Sequence, residues 1–400
     1  MSYLEKLLDG VNVEWKSLGE IAKVMRGRRL TRDKLSDKEN FPVFHGGLEP
    51  LGYYGERNRP ANSVMIINVG ASAGIVGFSD VEFWSSDGCY CLEQNKILNN
   101  KFLYYFLLGK QHFLQSKVRK AGIPTLDAKI IEKLEIPVPC PENQKKSLEI
   151  QQKIVAILDT FTGLTAELTA ELTAELTARK QHYIYYREKF LSFDKNKVKH
   201  LPMGDENVGR FIRGGGLQKK DFTETGVGCI HYGQVYTYYG TYTDKTKTFV
   251  SEEFAKKARM AKYGDLVIAT TSENDEDVCK AVAWLGNEEI AVSSDACFYR
   301  HTMNPKYVTY FFQTEHFQKQ KRPFITGTKV RRVNADDLAK IIIPIPSLQE
   351  QERIVSILDK FDILTTSISE GLPKEIALRK QQYEYYRDLL LTFPKDNLES

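Results

Sequence analysis

Arg26-Gly27-Arg28-Arg29, with Arg32 close behind, gathers guanidinium groups around a glycine near the start of the chain. Arg119-Lys120 precedes another glycine, Gly122. The same chemistry returns later, as Arg213 before Gly214-Gly215-Gly216 with Lys219 and Lys220, and as Lys329 with Arg331 and Arg332. There Tyr232, Tyr236, Tyr238 and Tyr239 interleave with His231 and Gln234. Lysine and arginine supply phosphate contacts, arginine and glutamine read base edges through paired hydrogen bonds, and glycine lets backbone approach a duplex. A solvated surface loop explains any one of these clusters equally well. Their recurrence at matched places is what points to a nucleic acid.

Other chemistry is not written in the chain. It has no Gly-x-x-x-x-Gly-Lys-Ser/Thr phosphate loop, no Gly-x-Ser-x-Gly elbow and no His-Glu-x-x-His pair. Asn304-Pro305-Lys306-Tyr307 superficially resembles the Asn-Pro-Pro-Tyr loop of amino-methyltransferases, but lysine takes the second proline position. It opens an amphipathic helical pattern, so proline at a helix start accounts for it better. The seven histidines are dispersed, and of six cysteines only Cys89 and Cys91 are close-spaced. No partner pair completes a zinc pattern, so no metal site and buried, reduced thiols are expected. By itself the chain reads as non-catalytic.

A length of 400 residues exceeds what one core usually organises, so more than one domain is expected. The net charge of +4 is too small to demonstrate a polyanionic partner by itself. No apolar run approaches membrane-spanning length, and a cytoplasmic protein is expected.

The elements that must position the basic clusters follow from periodicity. Val64-Met65-Ile66-Ile67 and Gly74-Ile75-Val76-Gly77-Phe78 read as strands between turn residues. Residues 101–113 and 307–317 read as helices, and Ile136-Pro137-Val138-Pro139 and Ile343-Pro344-Ile345-Pro346 as strands that prolines stop. Residues 150–193 form one long helical pattern, in which 164–178 read LTAELTAELTAELTA, three tandem TAEL units after Leu164. Alanine, glutamate and leucine are strong helix formers. A four-residue unit advances a helix by about 6 Å and slightly more than one turn. Leu164, Leu168, Leu172 and Leu176 should therefore drift around the helix instead of lining one seam. The run carries no chemistry and has the character of a spacer.

The two halves are copies. IVxILDxF at Ile154 recurs at Ile354, and RKQxYxYYR at Arg179 recurs at Arg379. Leu18-Gly19-Glu20 matches Met203-Gly204-Asp205, and Ser85-Ser86-Asp87-Gly88-Cys89 matches Ser293-Ser294-Asp295-Ala296-Cys297. The stretch before Trp15 also lines up with the stretch after Tyr186, as if the repeat were cyclic and cut open. Ile154, Ile157, Leu158, Phe161, Leu164 and Leu168 form an apolar stripe that Ile354, Ile357, Leu358, Phe361, Leu364 and Ile368 repeat. Two such helices can bury their stripes on each other, most simply as an antiparallel pair. Gly371 and Pro373 should kink or break the second. The expected fold is α+β, with two mixed domains (1–149 and 196–347), a central helical spacer (150–195) and a C-terminal helical region (348–400), related by a pseudo-twofold repeat. The triplets Tyr183/Tyr185/Tyr186 and Tyr383/Tyr385/Tyr386 cover too wide an arc for one seam. Of these, Tyr183, Tyr186, Tyr383 and Tyr386 are candidates for docking a partner.

With these residues assembled, the chain resembles the specificity subunits of type I restriction–modification enzymes, in particular the type IC subgroup with its TAEL repeats. The likeness covers essentially the full length. It rests on the two-copy layout, the IPVP and IPIP strands leading to IV-x-I-L-D helices, and the TAEL run before RKQ-x-Y-x-Y-Y-R. The resemblance implies a non-catalytic reader of double-stranded DNA, whose two target-recognition domains each contact half of a bipartite, asymmetric site. It also implies two methyltransferase subunits carrying S-adenosylmethionine, and two restriction subunits using ATP and Mg. One departure is Ser367-Ile368-Ser369-Glu370-Gly371-Leu372-Pro373, which stands where the second helix would carry the TAEL ladder. A tandem DNA-binding regulator working without partner subunits is the alternative the residues leave open.

Overall fold

The computed structural model describes residues 3–366 and 371–395. It divides into two compact units, one comprising residues up to Leu172 with those from Ile376 onward, the other Thr173–Glu375. The first therefore takes its residues from both ends of the chain.

In the first unit, apolar runs pair into an antiparallel sheet in the order Val24–Arg26, Cys89–Leu92, Ser63–Ile67, Val76–Ser79. Phe41–Phe44 runs parallel to Trp84–Ser85 beside it. Val13–Ser17 pairs separately with Glu135–Pro139, setting Trp15 against Pro137. Prolines are tolerated there because a two-stranded ladder leaves outer N–H positions unneeded. Helix Asn100–Gly109 begins where the Asn99 side chain accepts the N–H groups of Lys101 and Phe102. It buries Phe102, Leu103, Phe106 and Leu107 in the core.

The second unit repeats this plan with one strand more in its main sheet. Its main sheet runs Gly209–Arg213, Ala296–His301, Leu266–Ala269, Ala281–Trp284, Tyr242–Thr243. Lys199–Pro202 pairs with Ile342–Ile345 as its counterpart does. Helix Pro305–Phe312 is capped by Asn304 with proline at its start, as the sequence indicates. Each expected helix here is shorter than its apolar pattern. Residues 101–113 divide into Asn100–Gly109 and Gln111–Ser116. In the second domain a new helix, Glu315–Lys321, starts where Thr314 caps Phe317.

The long helix runs Gln144–Phe190, and its repeat-related partner is two helices, Leu348–Thr366 and Gly371–Leu390. The break falls at the expected glycine; Ile368 and the rest of 367–370 lie outside the described residues. Gly371 has φ +75, and an added Cβ would stand 2.8 Å from the Leu364 carbonyl oxygen. Both helical regions pack antiparallel. In the first unit Phe161 meets Tyr386 and Thr162 meets Tyr383. In the second, Tyr183 and Tyr186 meet Phe361 while Phe190 lies under Arg353.

The expectation that the stripes bury mainly on each other needs correcting. Ile154 and Leu158 sit in the core of the first domain with Phe102, Phe106 and Ile136. Ile354 and Leu358 join Tyr307, Phe311 and Ile343 in the second. A mixed domain offers more apolar area than one facing helix, so each stripe docks its helix onto a domain. The TAEL leucines drift as their period demands. Leu164 is 58% exposed, Leu168 and Leu176 are half-buried, and Leu172 is buried.

The chain end closes the first unit. Trp15 Nε1 donates to the Pro394 carbonyl at 2.9 Å, Phe393 packs edge-on against Phe102, and Lys395 pairs with Glu135. Leu391 and Phe393 take places in this core that Leu191 and Phe193 take in the other. All six cysteines are buried without disulfides. Among the described residues no helix is long and apolar enough to cross a membrane, and no cluster of His, Cys, Asp and Glu could hold a metal.

Candidate DNA interface

The two Arg-Gly pairs occupy equivalent positions. Gly27 donates its N–H to the Cys89 carbonyl at 3.2 Å, and Gly214 to the Ala296 carbonyl at 3.0 Å. A Cβ on Gly27 would stand 2.0 Å from the Ser86 oxygen, and one on Gly214 2.0 Å from the Ser293 oxygen. Only glycine lets the strand pass so close beneath the Ser-Ser-Asp turn. This packing holds Arg26 and Arg213 at the strand end, beside Asp87 and Asp295. A further arginine braces each: Arg59 donates to the Arg26 carbonyl at 3.0 Å, and Arg259 to the Arg213 carbonyl at 2.9 Å.

Each turn overlooks a cleft. The first measures about 590 Å³ and brings together Arg26, Arg29, Arg32, His45, Asn68 and Asp87. The second measures about 110 Å³ and brings together Arg213, Arg332, Thr270, Asp295 and Asn334. A matched hairpin reaches each. In one, Arg119 and Thr125 exchange backbone hydrogen bonds around Gly122; in the other, Thr326 and Arg332 do so around Gly327. Arg119 and Lys120 thus ride one arm of the first hairpin, while Arg331 and Arg332 ride the opposite arm of the second and Lys329 its exposed turn.

Not every candidate gathers there. Arg28, Lys219 and Lys220 are exposed but do not line either cleft. Lys219 lies near His231, whose ring is held below its ordinary pKa by burial first and by that lysine next. Gln234 is not free to read a base: its Oε1 accepts the His231 N–H at 3.0 Å and its Nε2 donates to Thr248 at 3.0 Å, capping a short helix. Arg331 is tied to Asp275 at 2.8 Å and to the Gly327 carbonyl. Asn68, Asp87, Asp295 and Thr270 escaped the sequence reading as site residues. The sequence match of Ser85-Ser86-Asp87 to Ser293-Ser294-Asp295 is shifted by one residue in the fold: Gly88 and Asp295 accept the N–H groups of Asn68 and Thr270, so Asp295 corresponds to Gly88 and not to Asp87.

A second matched network joins each domain to its helix. Asn99 N–H donates to Gln151 at 2.7 Å, and Asn304 N–H to Gln351 at 2.8 Å. Tyr105 and Tyr310 donate to Asp159 and Asp359, both at 2.7 Å. Lys101 and Lys306 pair with the same carboxylates. Burial leads the causes that hold both tyrosine hydroxyls well above their ordinary range. The aspartate of IV-x-I-L-D, read in sequence as a marker of the repeat, is the centre of this joint.

The tyrosine candidates also separate. Tyr183 is 6% exposed, stacked on Phe361 and bonded to Gln313 at 3.0 Å, so it serves the interior and not a partner. Tyr186 stacks half-buried on Phe361 and Phe190, and Tyr383 bonds to Thr162 at 3.0 Å. Tyr386 remains 43% exposed, and the rings presented most openly are Tyr185 and Tyr385, at 57% and 63%.

A duplicated frame carrying a basic cleft in each copy defines a two-domain DNA reader. The family model of the type I restriction modification DNA specificity domain matches residues 11–178 and 211–378, and the chain belongs to that family. It is 34% identical to the type I restriction enzyme EcoR124I/EcoR124II specificity subunit of Escherichia coli, over 99% of this chain and 98% of that one. It is 33% identical to a putative type I restriction enzyme specificity subunit of Haemophilus influenzae, over 98% of each. A solved chain from a study of type I R-M complex assembly and conformational transition shares the fold, with a TM-score of 0.66 at 15% identity over 95% of this chain and 97% of that one. The chain is thus a specificity subunit with two target-recognition domains, itself non-catalytic. Subunits of this class bind DNA and work in complexes with methyltransferase and restriction subunits.

Proposed function

We propose that each cleft reads one half of a bipartite, asymmetric DNA site and that the TAEL run sets the spacing between the halves. The observation that carries this reading is the repeated frame, an arginine held beside an aspartate turn by a glycine that tolerates no side chain. Arg26, Arg29 and Arg32 engage phosphates of one half-site, and Arg213 and Arg332 those of the other. Two methyltransferase subunits dock on the helical regions, where Tyr185, Tyr385 and Tyr386 offer aromatic surface. They carry S-adenosylmethionine and methylate adenine extruded from the duplex. Two restriction subunits, using ATP and Mg, complete the assembly in the cytoplasm.

Deleting residues 169–172 tests the spacer. One unit is about 6 Å of helix, and a base pair advances about 3.4 Å. The spacer should therefore shorten by one base pair, two at most, with both half-sites unchanged. Sequencing the methylated positions in a host that carries the deletion with its methyltransferase partner reads out both. An altered half-site sequence, or an unaltered spacer, overturns the ruler.

A further inference from the structure

Asn68 lies at the floor of the first cleft and is 3% exposed. Its backbone is fully engaged: the N–H donates to the Gly88 carbonyl at 3.1 Å, and the carbonyl accepts from Leu126 at 2.9 Å. Its side-chain Nδ2 donates to the Asp87 carbonyl at 3.4 Å. The remaining atom, Oδ1, is buried and meets no donor in the protein. An orphaned buried acceptor is costly and uncommon, so it asks for a donor from outside.

The second domain shows what the same position does when nothing is asked of it. There Thr270 takes the place of Asn68, since Val333 donates to its carbonyl as Leu126 does to that of Asn68. The Thr270 hydroxyl donates to the Asp295 carbonyl at 2.9 Å, the carbonyl that also accepts the Thr270 N–H as the Gly88 carbonyl accepts that of Asn68, so it does not reach on to the counterpart of Asp87. No side-chain atom is left over, and the cleft is about 110 Å³ against about 590 Å³. Asparagine therefore adds two things beyond the shared frame, a bond to the Asp87 carbonyl and a spare acceptor at the floor of a roomy, cationic cleft.

We propose that Asn68 is a specificity-determining residue whose Oδ1 accepts a hydrogen bond from the exocyclic amine of one base in the half-site read by the first domain. The inference rests on the cleft being the DNA-reading surface. In the major groove an amine donor is displayed by adenine and by cytosine, and not by guanine or thymine. Arg26, Arg29 and Arg32 stand around the same cleft to hold the adjoining phosphates. The floor offers acceptors, the Asp87 carboxylate and Asn68 Oδ1, while the cations supply the affinity.

The test is Asn68→Thr in the complete chain with its methyltransferase partner. Threonine gives the hydroxyl a partner in the carbonyl that accepts the residue's own N–H, Gly88 here, as Thr270 shows with Asp295, and removes the orphan acceptor. Methylome sequencing should show one position of one half-site become degenerate, with preference there falling about ten- to hundredfold. The other half-site and the spacer should not change. Duplexes lacking the amine at that position (purine for adenine, or the deaminated pyrimidine for cytosine) should bind the wild-type complex more weakly and the Asn68→Thr complex no differently. Asn68→Asp, which retains an acceptor, should keep the preference. An unchanged motif in Asn68→Thr overturns the proposal. So does weakening that is uniform over all sequences, and so does equal sensitivity of both complexes to amine removal.

Arg29→Glu with Arg32→Glu separates this from the broader reading. If the pair abolishes recognition of that half-site while Asn68→Thr is silent, only the role of Asn68 falls. If the pair leaves recognition intact, the cleft is not the DNA surface.

Discussion

The two recognition domains share a frame and differ in its floor. The frame is the Arg-Gly strand under the Ser-Ser-Asp turn, the hairpin around Gly122 or Gly327, and the Asn–Gln and Lys–Tyr–Asp joint to the helix. The floor differs in volume about fivefold and in the residue at its centre, Asn68 or Thr270. The frame has little freedom because it fits backbone against backbone at separations that admit no Cβ. The floor carries no such constraint, because Asn68 and Thr270 meet the frame through their backbones, each N–H donating to the turn and each carbonyl accepting from the segment after the hairpin. A duplicated reader can therefore diverge in what it contacts while keeping how it is mounted.

The largest effect that would break this comparison is at the glycines. Gly27→Ala and Gly214→Ala should each destabilise their own domain by about 3 kcal/mol, since the new methyl meets a carbonyl oxygen of the turn. Thermal melts of the two variants check it. A large loss in one and none in the other would show that the two frames are not equivalent.

A smaller effect should sharpen it at the joint. Lys306 and Asp359 are 19% and 23% exposed, whereas Lys101 and Asp159 are each 39% exposed. Asp359→Ala should cost about 2 kcal/mol by leaving Tyr310 and Lys306 without their acceptor. Asp159→Ala should cost about 1 kcal/mol or less, because water can replace more of what is lost. Denaturant melts that reverse this order would contradict the burial argument.

A graded effect concerns acid. His301 ends a strand of the second domain, and the position that matches it by register in the first is the exposed Gln94. Burial pushes the His301 imidazole down to about 4, from an ordinary 6.5. Between those values the unfolded chain takes up a proton that the folded domain refuses. Stability of the second domain should therefore fall as pH drops from about 6.5 toward 4, by about 1–3 kcal/mol. His301→Gln should flatten that dependence, as read by melts across the range.

Much of the molecule was legible in particular residues. The recurrence of Ile154-Val155 at Ile354-Val355 and of Arg179-Lys180 at Arg379-Lys380 exposed the duplication. Helix-forming residues without interruption marked the long helix, and Gly371 marked where its counterpart divides. The drift of Leu164, Leu168, Leu172 and Leu176 followed from the four-residue period, because helical geometry is local and repeats every 3.6 residues. Charge clusters pointed to a polyanion for the same reason, since neighbouring guanidinium groups reinforce one another wherever the chain goes.

What surrounds each residue was decided only in three dimensions. Arg26, Asn68, Asp87 and Thr125 line one cleft although strands, turns and a helix separate them in the chain. Sheet order and register brought them together, and neither is written in local periodicity. The same holds for Gln234, consumed by a helix cap, for Tyr183, consumed by Phe361 and Gln313, and for Trp15, closed over by Pro394. A side chain's type determines which bonds it can form. Whether another part of the fold has already taken those bonds is settled by long-range packing, and that is why an asparagine indistinguishable from any other in the sequence emerges here with an acceptor to spare.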